Sequence, residues 1–468
     1  MKRIRNRARW VASAVLAVGG LVAFAACTEF KNQLLEPQNP GLIDPSAVST
    51  PAAAMALEIG ALGRLRFVVD CGGNNECLWE EAGDLTDEFH NSDFQTVRQD
   101  IDQRLIDPDN PEIPWTSVTQ NRGFIRDAIG KVIQFLPDST ADIAELYLGL
   151  GFLETSLAEN YCNGIPLGHT IDGVVTYGAP LTDAQVLDSA LVHLDSALTI
   201  DNGASDNAKF IRQAILVAKA RVLVDQGKFT EAAALVPSSA VPSDFQYLFS
   251  TSPAKSSDDL GIWVINNSTA RMTVSDSFEV VNGTPSVTAN ALPFASANDP
   301  RVPVKSGQAV TPHVGAEDGS TPMFVQLLFG RDDPIPMVSG IDARLIEAEA
   351  KLNAHDIAGM MTILNALRAS PPAIGALQPQ AMSALPTPAS QDAATTLFFR
   401  EKAFWTFARG QRLNDMRRLM RQYKRTEAQV YPTGAYFKGG TYGHSLQLPV
   451  PNGEKPNSLF TGCIDTNP

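Results

Sequence analysis

Chemically capable side chains crowd most densely between residues 79 and 94, where Trp79, Glu80, Glu81, Asp84, Asp87 and Glu88 follow one another. Two carboxyls placed across a scissile bond are the machinery of glycoside hydrolysis, so this acid run has the residue types for a glycosidase pair. Its i, i+3, i+4 spacing more simply describes one solvated face of a helix. A lectin-like site needs something else: flat aromatic faces beside amides or carboxylates. Trp79, next to acids and to the Cys71–Cys77 loop, is the best candidate for such a platform. Trp115 opens a helical pattern and Trp405 sits inside another, so both are expected in the core. Trp263 alternates with Ile262 and Val264 in an expected strand, and core is again the simpler reading.

Catalytic signatures are missing from the rest of the chain. The histidines, His90, His169, His193, His313, His355 and His444, lack the spacing of a metal-binding His-Glu-x-x-His. There is neither a Gly-x-Ser-x-Gly elbow nor a phosphate-cradling glycine loop. No catalytic residue, metal or cofactor is therefore expected, and the chain reads as a non-enzyme. Arg412, Arg417, Arg418, Arg421, Lys424 and Arg425 face a single acid, Asp415, within their run. The plain account is cations near a helix C-terminus plus an Arg412/Asp415 pair.

The first residues suggest export. Lys2, Arg3, Arg5, Arg7 and Arg9 precede an apolar and small-residue stretch from Val11 to Ala26, the layout of a signal peptide and too short for a membrane span. Phe24-Ala25-Ala26-Cys27 resembles the bacterial lipobox, which makes Cys27 the expected lipidation site and the outer membrane the expected location. Removing residues 1–26 takes five positive side chains and no acid, and moves the formal charge from −14 to −19. Nucleic acid is a poor partner for such a surface. Cys71, Cys77, Cys162 and Cys463 then remain, an even number that permits disulfides in an exported protein. Cys71 and Cys77 could close a local loop, leaving Cys162 with Cys463; four unpaired thiols are the alternative.

The elements that must position these groups are mostly helical. After a signal peptide over 1–26 and a Pro/Asn/Ser-rich tether over 27–50, helical periodicity fills 51–244: Ala52–Val68, Trp115–Leu136, Asp142–Tyr161, Leu181–Leu198, Lys209–Gln226 and Phe229–Val236. Ala218, Ala220, Leu223, Gly227-Lys228-Phe229 and Glu231-Ala232-Ala233 resemble a tetratricopeptide unit, in which small residues let helices approach closely. Residues 245–336 alternate over short runs between Asn, Gly, Ser and Pro, and read as an irregular lobe with a few strands. Residues 337–430 return to helix pairs, with one helical run expected from Leu397 to Tyr423. Residues 431–468 form a Pro/Gly/Asn-rich tail expected to wrap over the helices.

That order of features resembles the SusD/RagB family of outer-membrane nutrient-binding lipoproteins over nearly the whole mature chain. The most specific matches are Asp333-Pro334-Ile335-Pro336 leading into Ala343-Arg344-Leu345-Ile346-Glu347-Ala348-Glu349-Ala350, and Ala366-Leu367-Arg368. Phe399-Arg400-Glu401-Lys402-Ala403-Phe404 with Gly410-Gln411-Arg412-Leu413-Asn414-Asp415-Met416-Arg417-Arg418, and the closing Leu448-Pro449-Val450-Pro451-Asn452-Gly453-Glu454 with Pro456-Asn457, complete the set. Trp405, Arg409 and Lys402 depart from the family pattern.

The resemblance implies a mainly α fold of four tetratricopeptide-like pairs against an irregular ligand-facing lobe. It also implies capture of an oligosaccharide or peptide for a SusC-like TonB-dependent transporter. Ligand loops of such proteins follow the first helices, which adds Phe89, His90, Asn91 and Phe94 to Trp79 as candidate contacts. The competing reading is a tetratricopeptide scaffold lipoprotein without a small ligand.

Overall fold

Thr50 starts the first helix, α1 (Pro51–Val69), by accepting a hydrogen bond from the Ala53 N–H at 3.2 Å. Pro51, at the first helical position, gives up a donor that would have no partner there. The computed structural model describes residues 48–70, 77–171, 174–200, 203–251, 258–281 and 284–468. The expected signal peptide, Cys27, nearly all of the tether and Cys71 lie outside the described residues. Residues 49–468 form one unit of contacts, and no described helix is long and apolar enough to cross a membrane.

The remaining helices are α2 (Leu78–Asp84), α3 (Thr96–Asp102), α4 (Trp115–Phe135), α5 (Thr140–Asn160), α6 (Asp183–Ile200), α7 (Asp206–Asp225), α8 (Phe229–Leu235), α9 (Gly340–Asn353), α10 (Ile357–Ala369), α11 (Gln391–Trp405), α12 (Arg412–Arg421) and α13 (Glu427–Val430). Four pairs pack side by side: α1 with α4, α5 with α6, α7 with α8, and α9 with α10. Neighbouring pairs share faces through α4 on α5, α6 on α7 and α8 on α9, so each pair buries the apolar face that the next exposes. Gly151 lets α5 and α6 approach closely, since a Cβ there would sit 2.7 Å from Leu194 Cγ.

The irregular lobe is pinned at its base. Strand Gln246–Phe249 pairs antiparallel with Ile335–Ser339, which brings the beginning and end of the lobe together and feeds directly into α9. Ser339 and Asp342 then start α9 with a reciprocal capping box. Inside the lobe, Met272–Val274 pairs with Phe89–Asn91, in register Phe89 to Val274. The lobe thus reaches across to the segment after α2.

Two expectations about elements are corrected. Trp263 is half-buried in a π-helical turn, Trp263–Ser268, rather than in a strand. The turn is held by Asn266, whose amide donates to the carbonyls of Met272 at 2.8 Å and Phe324 at 3.0 Å and accepts from the Gln326 N–H at 2.8 Å. Those tertiary partners outweigh local alternation. The expected run from Leu397 to Tyr423 is broken between α11 and α12, where Ala408 and Gly410 take φ of 60° and 61°. Gly410 is required there, because a Cβ would lie 2.2 Å from Trp79 Cδ1.

The tail lies against the helical body. Leu448 exchanges backbone hydrogen bonds with Asn160 and Cys162, Glu454 accepts from Trp115 Nε1 at 2.6 Å, and Cys463 is disulfide-bonded to Cys162. Cys77 is disulfide-bonded as well.

Candidate functional site

Helix α2 carries the acid run into the interior, not onto a solvated face. Glu80 and Glu81 are 2 % exposed, and Asp84, Asp87 and Glu88 are fully buried. The expected amphipathic face is therefore corrected: α2 is short and enclosed, with α1, α3, α12 and strand Phe89–Asn91 packed around it, and no side of it meets water. Burial raises the carboxyls, Glu80 and Asp84 well above the usual range and Glu88 to about 8. For Glu80 the neighbouring Asp70 adds to burial; for Asp84, Asp102 and Glu81 do so. A polysaccharide chain has no access to any of these acids.

Trp79 is 3 % exposed, its ring centroid 6.1 Å from that of Phe249 and covered by Gly410. It is a core residue and offers no stacking platform, a second correction. Phe89 is fully buried, 5.1 Å from Phe407. His90 and Asn91 are buried too: His90 Nδ1 lies 3.1 Å from Asp102 Oδ1, and the Asn91 N–H donates to Asp102 Oδ2 at 2.7 Å. Strand pairing with Met272–Val274 forces this, since both faces of a three-residue strand are covered by the lobe and by α2 and α3. Of the five residues named from sequence, only Phe94 reaches the surface, at 69 % exposure.

Phe94 stands on a braced polar base drawn from three distant parts of the chain. Asp93 pairs with Arg98, which also meets Glu112 at 3.3 Å. From the lobe, Arg271 reaches Glu317 at 3.1 Å, and the Asp318 N–H donates to the Ser92 carbonyl at 2.9 Å. From the tail, Lys438 bonds Asn91 Oδ1 and the Asp93 carbonyl, both at 2.8 Å, and Asp318 at 2.9 Å. Burial alone would raise the Asp318 carboxyl, but hydrogen bonds from Thr321, Ser320 and Lys438 bring it down to about 2. The result is an exposed aromatic ring carried on a chain segment braced by charged and amide groups, a surface able to take an apolar face and hydroxyl groups together. Sequence reasoning missed Arg271, Glu317, Asp318 and Lys438. Their only signal was charge, at the head of the Arg271–Val274 run and in the loops carrying Glu317, Asp318 and Lys438.

Away from Phe94, a concavity of about 460 Å³ lies between α4 and the 165–181 hairpins, lined by Gln120, Phe124, Asp127, Tyr177, Glu454 and Asn457. Arg122 forms one of its walls, donating to Glu154 and to the Gly168 carbonyl, both at 2.7 Å.

The cationic run of α12 is a structural device. Arg412, Arg417 and Arg418 are buried, and Asp415 meets Arg418 at 3.0 Å and Lys402 at 2.6 Å. The expected Arg412/Asp415 pair is replaced by a 2.8 Å hydrogen bond from Arg412 Nε to the Thr86 carbonyl. Helix α12 is buried from Arg412 to Leu419, so its charges find tertiary partners before helical neighbours.

No family model matches the chain, and no curated relative is found. Solved structures do match. A SusD superfamily protein from Bacteroides vulgatus ATCC 8482 superposes with TM-score 0.59 and 12 % identity, over 89 % of this chain and 99 % of that one. A SusD-like protein from Bacteroides fragilis NCTC 9343 gives 0.59 and 14 %, over 88 % and 96 %. A SusD-like carbohydrate-binding protein from Bacteroides vulgatus ATCC 8482 gives 0.54 and 12 %, over 79 % and 83 %. The chain has the mainly α, SusD-like fold that its sequence resembles.

Proposed function

We propose, with that fold as the premise, that the chain is a SusD/RagB-type nutrient-binding lipoprotein, non-enzymatic and tethered through a lipid on Cys27. It captures an oligosaccharide on the Phe94 face and delivers it to a SusC-like TonB-dependent transporter in the outer membrane. The observation that carries the reading is the fold shared with SusD superfamily structures over nearly nine-tenths of the chain, some of them described as sugar- or carbohydrate-binding. Fold by itself does not give function. The site supplies the rest of the argument: an exposed aromatic on a segment braced by Arg98, Arg271 and Lys438 has the chemistry of sugar binding, and the acids of the 80–88 run are too deeply buried to reach a glycosidic bond.

A glycan and peptide array probed with the soluble chain beginning after Cys27 tests the ligand. Binding to a glycan class, weakened about tenfold by Phe94→Ala, is the expected result, the order of one lost stacking contact. Binding to peptides alone would reassign the ligand, and no binding to either would favour the scaffold reading. Affinity purification from the native envelope should bring down a TonB-dependent transporter; its absence would remove the delivery step.

A further inference from the structure

We propose that Asp87, His90 and Asp102 form a buried site for one divalent metal ion beneath the Phe94 face, with a preference for Zn²⁺ or Mn²⁺ over Ca²⁺.

The geometry comes first. One donor atom from each of Asp87, His90 and Asp102 lies within 4.8 Å of the others. His90 Nδ1 is 3.1 Å from Asp102 Oδ1 and 3.8 Å from Asp87 Oδ1. Two donors each about 2.1–2.4 Å from a shared ion, subtending about 90–110°, stand roughly 3.0–3.9 Å apart, so both separations are those of metal ligands. Both separations are also those of ion pairs, so the case for an ion turns on the excess of buried carboxyls around a single imidazole.

Asp84 is the independent observation. It is fully buried at the end of α2, and neither carboxylate oxygen has a hydrogen-bond partner among the described residues. The charges acting on it are those of Asp102, Glu81, His90 and Lys438, so it adds a further unmatched carboxyl to the charge around the three donors. Lys438 is already spent on Asn91, Asp93 and Asp318. A buried carboxylate without a donor is costly, and a cation held by the neighbouring donors is one of the few ways to offset that cost.

The surroundings also look built for an ion. Asp102 Oδ2 is held by the Asn91 N–H and the Tyr436 hydroxyl, both at 2.7 Å, which turns Oδ1 toward His90. Outer hydrogen bonds of this kind orient first ligands and sharpen affinity. One imidazole among carboxylates suits Zn²⁺ or Mn²⁺, whereas Ca²⁺ and Mg²⁺ favour oxygen ligands alone. The ion would tie the end of α2, the Phe89–Asn91 strand, α3 and the tail around Tyr436 into one support. The metal site stands whether or not a glycan binds above it.

The test uses the purified full chain, stripped with EDTA and titrated separately with Zn²⁺, Mn²⁺ and Ca²⁺ by calorimetry and by thermal unfolding. One equivalent of Zn²⁺ or Mn²⁺ should bind and raise the melting temperature. Asp87→Asn and His90→Ala should each weaken that affinity about tenfold or more. Wild-type chain that binds none of the three ions, with an unchanged melting temperature, overturns the proposal and leaves protonation as the way the cluster is neutralised. Binding undiminished in both variants also overturns it, by placing the ion elsewhere. Should a variant fail to fold, the wild-type titration still decides. Glycan binding is read separately on the array, so failure of one reading does not mask the other.

Discussion

Two buried charged regions of this molecule are built on opposite plans. Around α12, carboxylates are matched by guanidinium groups: Arg418 meets Glu349 and Asp415, Arg409 meets Asp342, Arg417 meets Asp183, and Arg301 and Arg368 share Glu401. Around α2, Asp70, Glu80, Glu81, Asp84, Asp87, Glu88 and Asp102 are all buried, yet the cations close to them, Arg66, Arg412 and Lys438, are fewer and engaged elsewhere too. A matched network fixes helices in place, because each charge has a partner and no vacancy for a ligand. An unmatched one must be neutralised by protons or by a cation, and groups under that constraint concentrate where proteins function.

Removing Arg418 should break the matched region most severely. Arg418→Met leaves Glu349 buried without its cation and Asp415 with Lys402 alone, and urea titration should show a loss of about 3–5 kcal/mol. A loss below about 1 kcal/mol would mean that solvent reaches the network. The tail joins this region covalently: Cys162 and Cys463 close 301 residues of chain. Replacing both with Ser should lower unfolding free energy by about 2–4 kcal/mol, with limited proteolysis attacking residues 431–468 first.

A smaller effect probes unmatched acids on the N-terminal side. Glu58 of α1 is raised from 4.5 to about 7 by burial and by the carboxylates of Asp142 and Glu145. Below the unfolded value both states hold the proton. Between 4.5 and about 7 only the folded state holds it, so stability falls as pH rises through that window and the loss is complete above it. Glu58→Gln should flatten this slope and gain about 1–2 kcal/mol at pH 8, a figure discounted for partial solvent screening. An unchanged pH profile would show that the carboxylate is solvated. Phe94→Ala, the mildest of the set, should leave stability within about 0.5 kcal/mol while weakening glycan binding. A large stability loss would mark Phe94 as packing.

Legibility from sequence followed the kind of signal each residue carries. Helices such as Thr140–Asn160 and Asp206–Asp225 could be read because apolar periodicity and small residues are local. Trp79 misled because its sequence neighbours are acids, and nothing in them reveals that Gly410 and Phe249 close over it. Phe94 was legible only as one aromatic among several. Its exposure depends on where Arg98, Arg271 and Lys438 end up.

The sequence by itself determined the helical body, the small residues that let its pairs approach, and the capping of α9 by Ser339 and Asp342, since each is written within a few turns of chain. Tertiary structure alone decided which charges are matched. Arg418 and Glu349, or Asp84 and Asp102, are far apart in sequence or indistinguishable from surface pairs, and only the folded chain removes the water that would otherwise have hidden the difference between them.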